Sequence, residues 1–225
     1  MAIMSTEPRF IPYDPVQQDK AGTLDRAKDF YAFHNRRRSI REFSNEDVPF
    51  EVIENIVMAA GTSPSGAHKE PWTFCIIRSK TLKQQIRAAA EAEEQESYTK
   101  RMNETWLEDL EPLGTDWHKP FLETVPWIIV VFKRIYELKD GKKRQNYYVN
   151  ESVGIACGML INAIHNAGLV TLTHTPSPMN FLSKILERPD NERPYLLLPV
   201  GYPAPDAEVP NLKRKSFEEL AVVFE

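Results

Sequence analysis

The chain has 225 residues, enough to bury a sizeable core, and no linker divides it, so one main domain is expected. A formal net charge of −4 argues against a general nucleic-acid binder, which is usually basic. Apolar runs such as Trp127 to Phe132 are too short to span a bilayer, and Met1 to Tyr13 mixes Glu7, Arg9 and two prolines where a leader would be apolar.

Residues 1–24 are rich in proline and polar residues and read as an N-terminal arm, with residues 25–225 as the domain. A helix is predicted from Asp25 through Phe30, Tyr31 and Phe33, leading into Arg36-Arg37-Arg38-Ser39-Ile40-Arg41. Beyond it, Ser44 to Asp47 offers capping oxygens and Pro49 suits a first helical turn. Val52, Ile53, Ile56, Val57 and Ala60 keep helical spacing up to Gly61. Thr62 to Pro71 is a loop of small residues with two prolines, and Trp72 to Ile77 reads as a buried strand. Ser79 opens a long helix through Leu82, Ile86, Ala89 and Ala90 into the acidic Glu91, Glu93, Glu94 and Glu96.

Past Tyr98 the pattern weakens, and Asn103 to Lys119 reads as a mobile polar excursion. Glu123 to Phe132 is a predicted strand, and Lys139 to Arg144 a charged turn around Gly141. Tyr147 to Asn166 is the most apolar helix, apolar on most sides and therefore central. Gly168 ends it. A strand over Leu169 to Thr175, a short helix over Asn180 to Glu187, a strand over Tyr195 to Gly201 and a terminal strand over Val222 to Phe224 complete the chain. The class is α/β or α+β, one domain wrapped around a central sheet.

The motifs exclude several chemistries. Neither a G-x-G-x-x-G nor a G-x-x-x-x-G-K-[ST] phosphate loop is present, and the five histidines form no zincin-like pair. No metal-binding role is therefore expected. No nucleophile elbow surrounds any serine. Cys75 and Cys157 sit in separate apolar segments and read as two buried thiols in a reducing cytoplasm. A bound phosphate would thus be held by side chains. The Arg36 to Arg41 run places four guanidiniums in six residues, and Lys213-Arg214-Lys215 forms a second basic cluster after a strand. On local sequence alone each reads first as a solvated basic face.

Larger blocks carry a resemblance. Arg37-Arg38-Ser39-Ile40-Arg41 ahead of a helix, then Pro64 to His68 before Pro71-Trp72, resembles the FMN-dependent nitroreductase superfamily. Within it the match is closer to the iodotyrosine deiodinases, through Ala60 to Thr62, Glu70 to Phe74, Ile155 to Gly158, Asn166 to Thr171, Leu198 to Pro203 and Val209 to Lys215. The blocks keep order and spacing from about residue 30 to the end.

The resemblance implies an α+β sandwich, with a central mixed sheet flanked by helices, in an intertwined homodimer with FMN between the subunits. It assigns Arg37, Arg38, Ser39 and Arg41 to FMN phosphate and ribityl contacts, with Arg214 as a second phosphate arginine. Pro64, Ser65 and Gly66 lie by the flavin, and the Ala67 amide meets the substrate's phenolate oxygen. Thr173, His174 and Thr175 map to the segment at the flavin ring, with the Thr175 hydroxyl at N5. His174 stands where animal members carry threonine. Glu94, Tyr98 and Lys119 map to a lid, residues 91–119, that grips the ammonium and carboxylate of an amino acid. Glu94 and Tyr98 are i and i+4 and share one helical face.

The implied activity is reductive dehalogenation of halotyrosines, mono- and diiodotyrosine to tyrosine plus iodide, by one-electron steps with an NADPH-linked reductant acting directly or through a separate reductase. Alternatives are a general NAD(P)H nitroreductase or flavin reductase, a non-enzymatic flavin carrier, and an enzyme that fragments FMN. Animal members carry an N-terminal membrane anchor and no such segment is seen here, so a soluble cytoplasmic bacterial homologue is expected.

Overall fold

A computed structural model describes residues 10–16 and 19–225, which divide into two compact units, one ending at Arg37 and one running from Arg38 to Glu225. Residues 1–9 and 17–18 of the expected arm lie outside the described residues. In the first unit α1 spans Thr23–Asn35, and none of its residues is buried.

The second unit contains α2 (Phe50–Gly61), β1 (Trp72–Ile77), α3 (Lys80–Glu96), α4 (Glu104–Leu110), α5 (Phe121–Thr124), β2 (Trp127–Arg134) and the pair β3 (Tyr136–Lys139) and β4 (Lys142–Gln145). It continues through α6 (Val149–Asn166), β5 (Val170–Thr171), α7 (Asn180–Ile185), β6 (Glu192–Gly201) and α8 (Phe217–Leu220). Strand order in the central sheet is β1-β2-β6-β5, and these strands pair antiparallel. A parallel component enters through the isolated bridge between Ser39 and Thr171.

The unbroken apolar run of β2 follows from burial on both faces. Trp127, Ile129 and Val131 enter one core layer with Ile53, Ile56, Ala156 and Leu160, from α2 and α6. Ile128, Val130 and Phe132 enter the other with Ile86, Ala90, Phe121 and Leu182, from α3, α5 and α7. Each such side chain is worth about 1.5–3 kcal/mol when fully buried. Helices on both faces of an antiparallel sheet make an α+β sandwich.

Several boundaries differ from the sequence-based expectations. Glu123 and Thr124 belong to α5, so β2 starts only at Trp127. Ser44 to Asp47 do not cap α2. Pro49 occupies its N-cap without a side-chain bond, while Ser44 Oγ accepts from the Glu46 N–H at 3.0 Å and Asp47 pairs with Arg78 at 2.7 Å. The 103–119 stretch is structured by α4, whose Asn103 cap accepts from the Trp106 N–H at 2.9 Å, and by a 3-10 turn at Glu111–Leu113. The charged turn is the tip of a hairpin: Asp140 and Gly141 have φ of 53° and 72°, as a twist-matched two-residue turn requires. Tyr148 at φ 47° delays α6 to Val149. That helix buries one face and leaves Ile155 and Met159 exposed, so it is not enclosed on every side. Val222 to Phe224 form no strand and have no ladder partner among the described residues.

The strand expected over 169–175 is ordered as β5 for only two residues, and Pro199 explains why. Lacking an N–H, Pro199 cannot complete its pair opposite Leu172, and the ladder lapses. It resumes in the same register at His174, whose N–H donates to Leu197 O at 2.9 Å while Leu197 N–H donates back at 3.0 Å. Side-chain alternation thereby survives the gap: Leu172 and His174 are buried, and Thr173 and Thr175 are exposed.

Candidate active site

The cavity forms where α3 runs past the sheet. Ser79 Oγ caps the helix by accepting from the Leu82 N–H at 3.3 Å, fixing its rotation. Lys83, Ile86 and Ala90 then make an inward stripe at helical spacing, and the next position on it is Glu94. One turn further the helix widens into a π turn, Ser97–Arg101, that carries Tyr98. Such turns interrupt α-helices most often at functional sites. The chain returns through α4, and Lys119 comes back against Glu94.

Glu94 and Tyr98, and Lys119 some 20 residues on, therefore line one cavity of about 240 Å3 with Arg41, Trp106, Thr115, Phe121 and Thr173 to Thr175. The Lys119 ammonium lies 3.3 Å from the Glu94 carboxylate, with side chains 5% and 14% exposed. It also reaches Thr115 Oγ1 at 3.3 Å and donates to the Asp116 carbonyl. Tyr98 donates its hydroxyl to Thr115 O at 3.3 Å, and the Lys119 ammonium stands 5.9 Å from the centre of its ring. Burial pushes the Glu94 carboxyl up, and Lys119 partly offsets it. A carboxylate and an ammonium held together in a half-dry pocket match the two charges of an amino acid, each with its opposite.

Sequence patterns missed the support behind this pair. Glu91 Oε1 accepts the backbone N–H of Lys119 at 2.7 Å, and Arg87 joins Glu91 at 2.8 Å to Glu123 at 3.1 Å. The i, i+4 spacing of Arg87 and Glu91 was the available signal. His174 was assigned only to the segment at the flavin ring, and its side-chain contact with Glu94 had no signal in the sequence. Its Nδ1 lies 3.9 Å from Glu94 Oε1, and Phe121 meets the ring edge-on at 5.9 Å.

Arg41, the last residue of the Arg run, reaches the cavity because the chain on either side of it is stitched to the sheet edge. Ile40 N–H donates to Thr171 O at 3.2 Å, and Ser44 N–H to Tyr202 O at 2.9 Å. Arg41 thereby faces the cavity, half-buried, with no carboxylate pairing it among the described residues. Arg38 donates to the Pro210 carbonyl, and Ser39 is exposed beside β5. Arg37 closes the first unit, its N–H donating to His34 O at 3.1 Å. Arg214 lies exposed in the irregular segment beyond Pro210.

The Pro64 to Ala67 loop is not brought into this cavity within one chain. It packs instead on the start of α6, where Ser152 Oγ accepts the Gly66 N–H at 3.3 Å. A side chain on Gly66 would stand 3.0 Å from the Tyr148 ring and 3.1 Å from Tyr147 O. Ala67, His68 and Glu70 all hold positive φ, at 50°, 51° and 43°. Ser65 Oγ fixes this strained turn by accepting the Glu70 N–H at 2.9 Å, and Arg134 donates to Glu70 O at 2.7 Å. The Ala67 N–H has no acceptor among the described residues, so a rigid turn presents a bare donor.

Among the described residues no helix is long and apolar enough to cross a membrane. The model of the nitroreductase family matches residues 35–202. The chain is 60% identical to iodotyrosine deiodinase of Haliscomenobacter hydrossis over 98% of its own length and all of that protein. It is 45% identical to human iodotyrosine deiodinase 1, covering 94% of this chain and 74% of that one. Its fold is similar to a crystal structure of oxidized iodotyrosine deiodinase bound to FMN and 3-iodo-L-tyrosine, with a TM-score of 0.72, 29% identity and 83% and 96% of the two chains covered. The chain belongs to the nitroreductase family and, within it, to the iodotyrosine deiodinases.

Proposed function

We propose that this chain reduces halotyrosines with bound FMN, taking mono- and diiodotyrosine to tyrosine and iodide. Each carbon–iodine bond cleaved consumes two electrons and one proton, leaving a carbon–hydrogen bond and an iodide ion. The observation that carries the reading is the convergence of Glu94, Tyr98 and Lys119 on one cavity with Arg41, Thr173 and Thr175. A general nitroreductase or flavin reductase has no use for a buried carboxylate–ammonium pair at that place.

The residues fit the cofactor. Arg41 offers a guanidinium with no carboxylate partner among the described residues, and Arg38, Ser39 and Arg214 add donors suited to a phosphate and a ribityl chain. We assign Arg37 to the same phosphate from sequence alone. FMN supplies the electrons. The protein's share is position and charge. Glu94 takes the substrate's ammonium and Lys119 its carboxylate, each exchanging its present partner for the ligand's. The Thr173 and Thr175 hydroxyls, exposed by strand alternation and held in register by the His174 backbone, would lie at the flavin ring, where Thr175 would hydrogen-bond N5. Residues 91–119 close over the ligand, excluding water and strengthening each polar contact.

Pro64, Ser65, Gly66 and the bare Ala67 amide complete the site from a second copy of the chain, with the amide donating to the phenolate oxygen. Exposed Ile155 and Met159 on α6, and Phe217, Leu220, Val222 and Phe224 at the C-terminus, support a homodimer, since such apolar surface commonly marks an interface. Electrons come from NADPH, directly or through a separate reductase, and the two free thiols fit a cytoplasmic setting.

The test is to purify the protein with its yellow chromophore, identify it as FMN, and measure iodide from 3-iodotyrosine with dithionite as reductant. Iodide release is expected. FMN-loaded protein that reduces nitroaromatics but frees no iodide would refute the assignment.

A further inference from the structure

His174 is not used by the mechanism above except through its backbone, yet its side chain is built into the cavity wall. It is 6% exposed, its Nδ1 faces Glu94 Oε1 at 3.9 Å, and its Nε2 is buried without a partner among the described residues. The charged and titratable groups around it are Glu94 and Tyr98 from α3 and its π turn, Lys119 before α5, and Arg41 on the sheet edge; Phe121 closes the remaining side. Burial holds the imidazole down to a pKa of about 3, with Lys119 and Arg41 acting in the same direction. The ring is therefore neutral and carries one proton.

Where that proton sits follows from the geometry. On Nε2 it would be a buried donor with no acceptor, while the Nδ1 lone pair faced a carboxylate oxygen. On Nδ1 it points at that oxygen, and only the Nε2 lone pair is left without a partner. The 3.9 Å gap is too long for a hydrogen bond while Lys119 occupies Glu94.

We propose that His174 is a positioning residue for Glu94: neutral and protonated on Nδ1, it donates to the Glu94 carboxylate once a ligand's own carboxylate draws Lys119 away. This rests on the reading of Glu94 as the ammonium acceptor. It answers a problem that reading creates. A buried carboxylate that loses its lysine needs another donor to stay ionised and aligned, and a cationic donor would compete with the incoming ammonium. A neutral imidazole supplies direction without charge.

Nitrogen NMR of 15N-histidine-labelled, FMN-loaded protein reads the tautomer directly. A neutral Nδ1–H form between about pH 5 and 8, with its proton shifting downfield on adding 3-iodotyrosine, is expected; an Nε2–H form or a cation overturns the proposal. Quenching of FMN fluorescence gives the second readout, on His174→Leu and His174→Asn, for 3-iodotyrosine and for 2-iodophenol, an analogue lacking both the amino and the carboxylate group. Leucine should weaken iodotyrosine about tenfold and spare the analogue, and asparagine, which keeps a donor, should restore most of the loss. Equal loss for both ligands, or no loss for either, overturns the proposal. If His174→Leu does not fold, the asparagine variant and the NMR decide. Wild-type protein that binds the two ligands equally refutes the Glu94 reading itself, a result distinct from failure of the histidine.

Discussion

The buried neutral state of His174 makes stability depend on pH in a calculable way. Its folded pKa, about 3, lies below the ordinary 6.5, so it contributes stability that is fully present above pH 6.5 and is lost as pH falls toward 3. At about pH 4.5 the unfolded chain has protonated the imidazole two units below its free pKa while the folded ring stays neutral, which costs about 3 kcal/mol relative to neutral pH. Glu94 runs the other way, because its raised pKa adds stability as pH falls, but it is present in both proteins of the comparison. The assay is urea unfolding of FMN-saturated wild type and His174→Asn at about pH 7.5 and 4.5. The wild type should lose about 3 kcal/mol more than the variant over that interval, a midpoint difference of roughly 1 M urea. Parallel losses would refute the burial argument, because no other group differs between the two chains.

Three further outcomes follow from the same contacts. Glu94→Gln should weaken 3-iodotyrosine binding by about 2–4 kcal/mol while leaving iodophenol nearly unaffected, read by quenching of FMN fluorescence. Gly66→Ala forces a methyl to 3.0 Å from Tyr148 and 3.1 Å from the Tyr147 carbonyl, so the loop must shift off α6; a loss of roughly 1–3 kcal/mol in unfolding free energy, with iodide release falling alongside, is expected. Lys83→Met strips the Val125 and Glu123 carbonyls of a buried ammonium at 2.6 and 3.3 Å and should cost about 1–3 kcal/mol by thermal denaturation, with KM for iodotyrosine little changed.

Sequence patterns exposed the parts of the fold that rest on local physics. Trp72 to Ile77 reads as a strand and is one, because both its flanks are turns and its side chains are apolar or β-branched. Ser79 reads as a cap and caps α3. What escaped was set by distant partners. The truncation of β5 depends on Pro199 lying opposite Leu172, a pairing that no window around residue 172 contains. The ordering of 103–119 depends on Lys119 reaching back to Glu91 and Glu94, the first of them 28 residues earlier in the chain. Arg41 could be listed as basic from sequence, but its place at the cavity comes from the Ile40–Thr171 and Ser44–Tyr202 bonds. Glu94, Tyr98 and Lys119 were legible through family resemblance, and helical spacing linked only the first two.

The segment 171–175 shows how little local regularity the site requires. Its ladder is interrupted at Pro199, yet the His174–Leu197 pair restores the register, so side-chain alternation is preserved across two unpaired residues. Because the period of a strand is two, a slip of one residue would exchange the contents of its two faces. His174 would leave Glu94, a threonine would take its place in the wall, and the hydroxyls on the exposed face would be replaced by Leu172 and an imidazole. Two reciprocal backbone bonds at His174 and Leu197 therefore decide both which side chain stands against Glu94 and which hydroxyls remain on the open face. In this chain histidine occupies the selected position and faces the Glu94 carboxylate, whose side chain is 14% exposed.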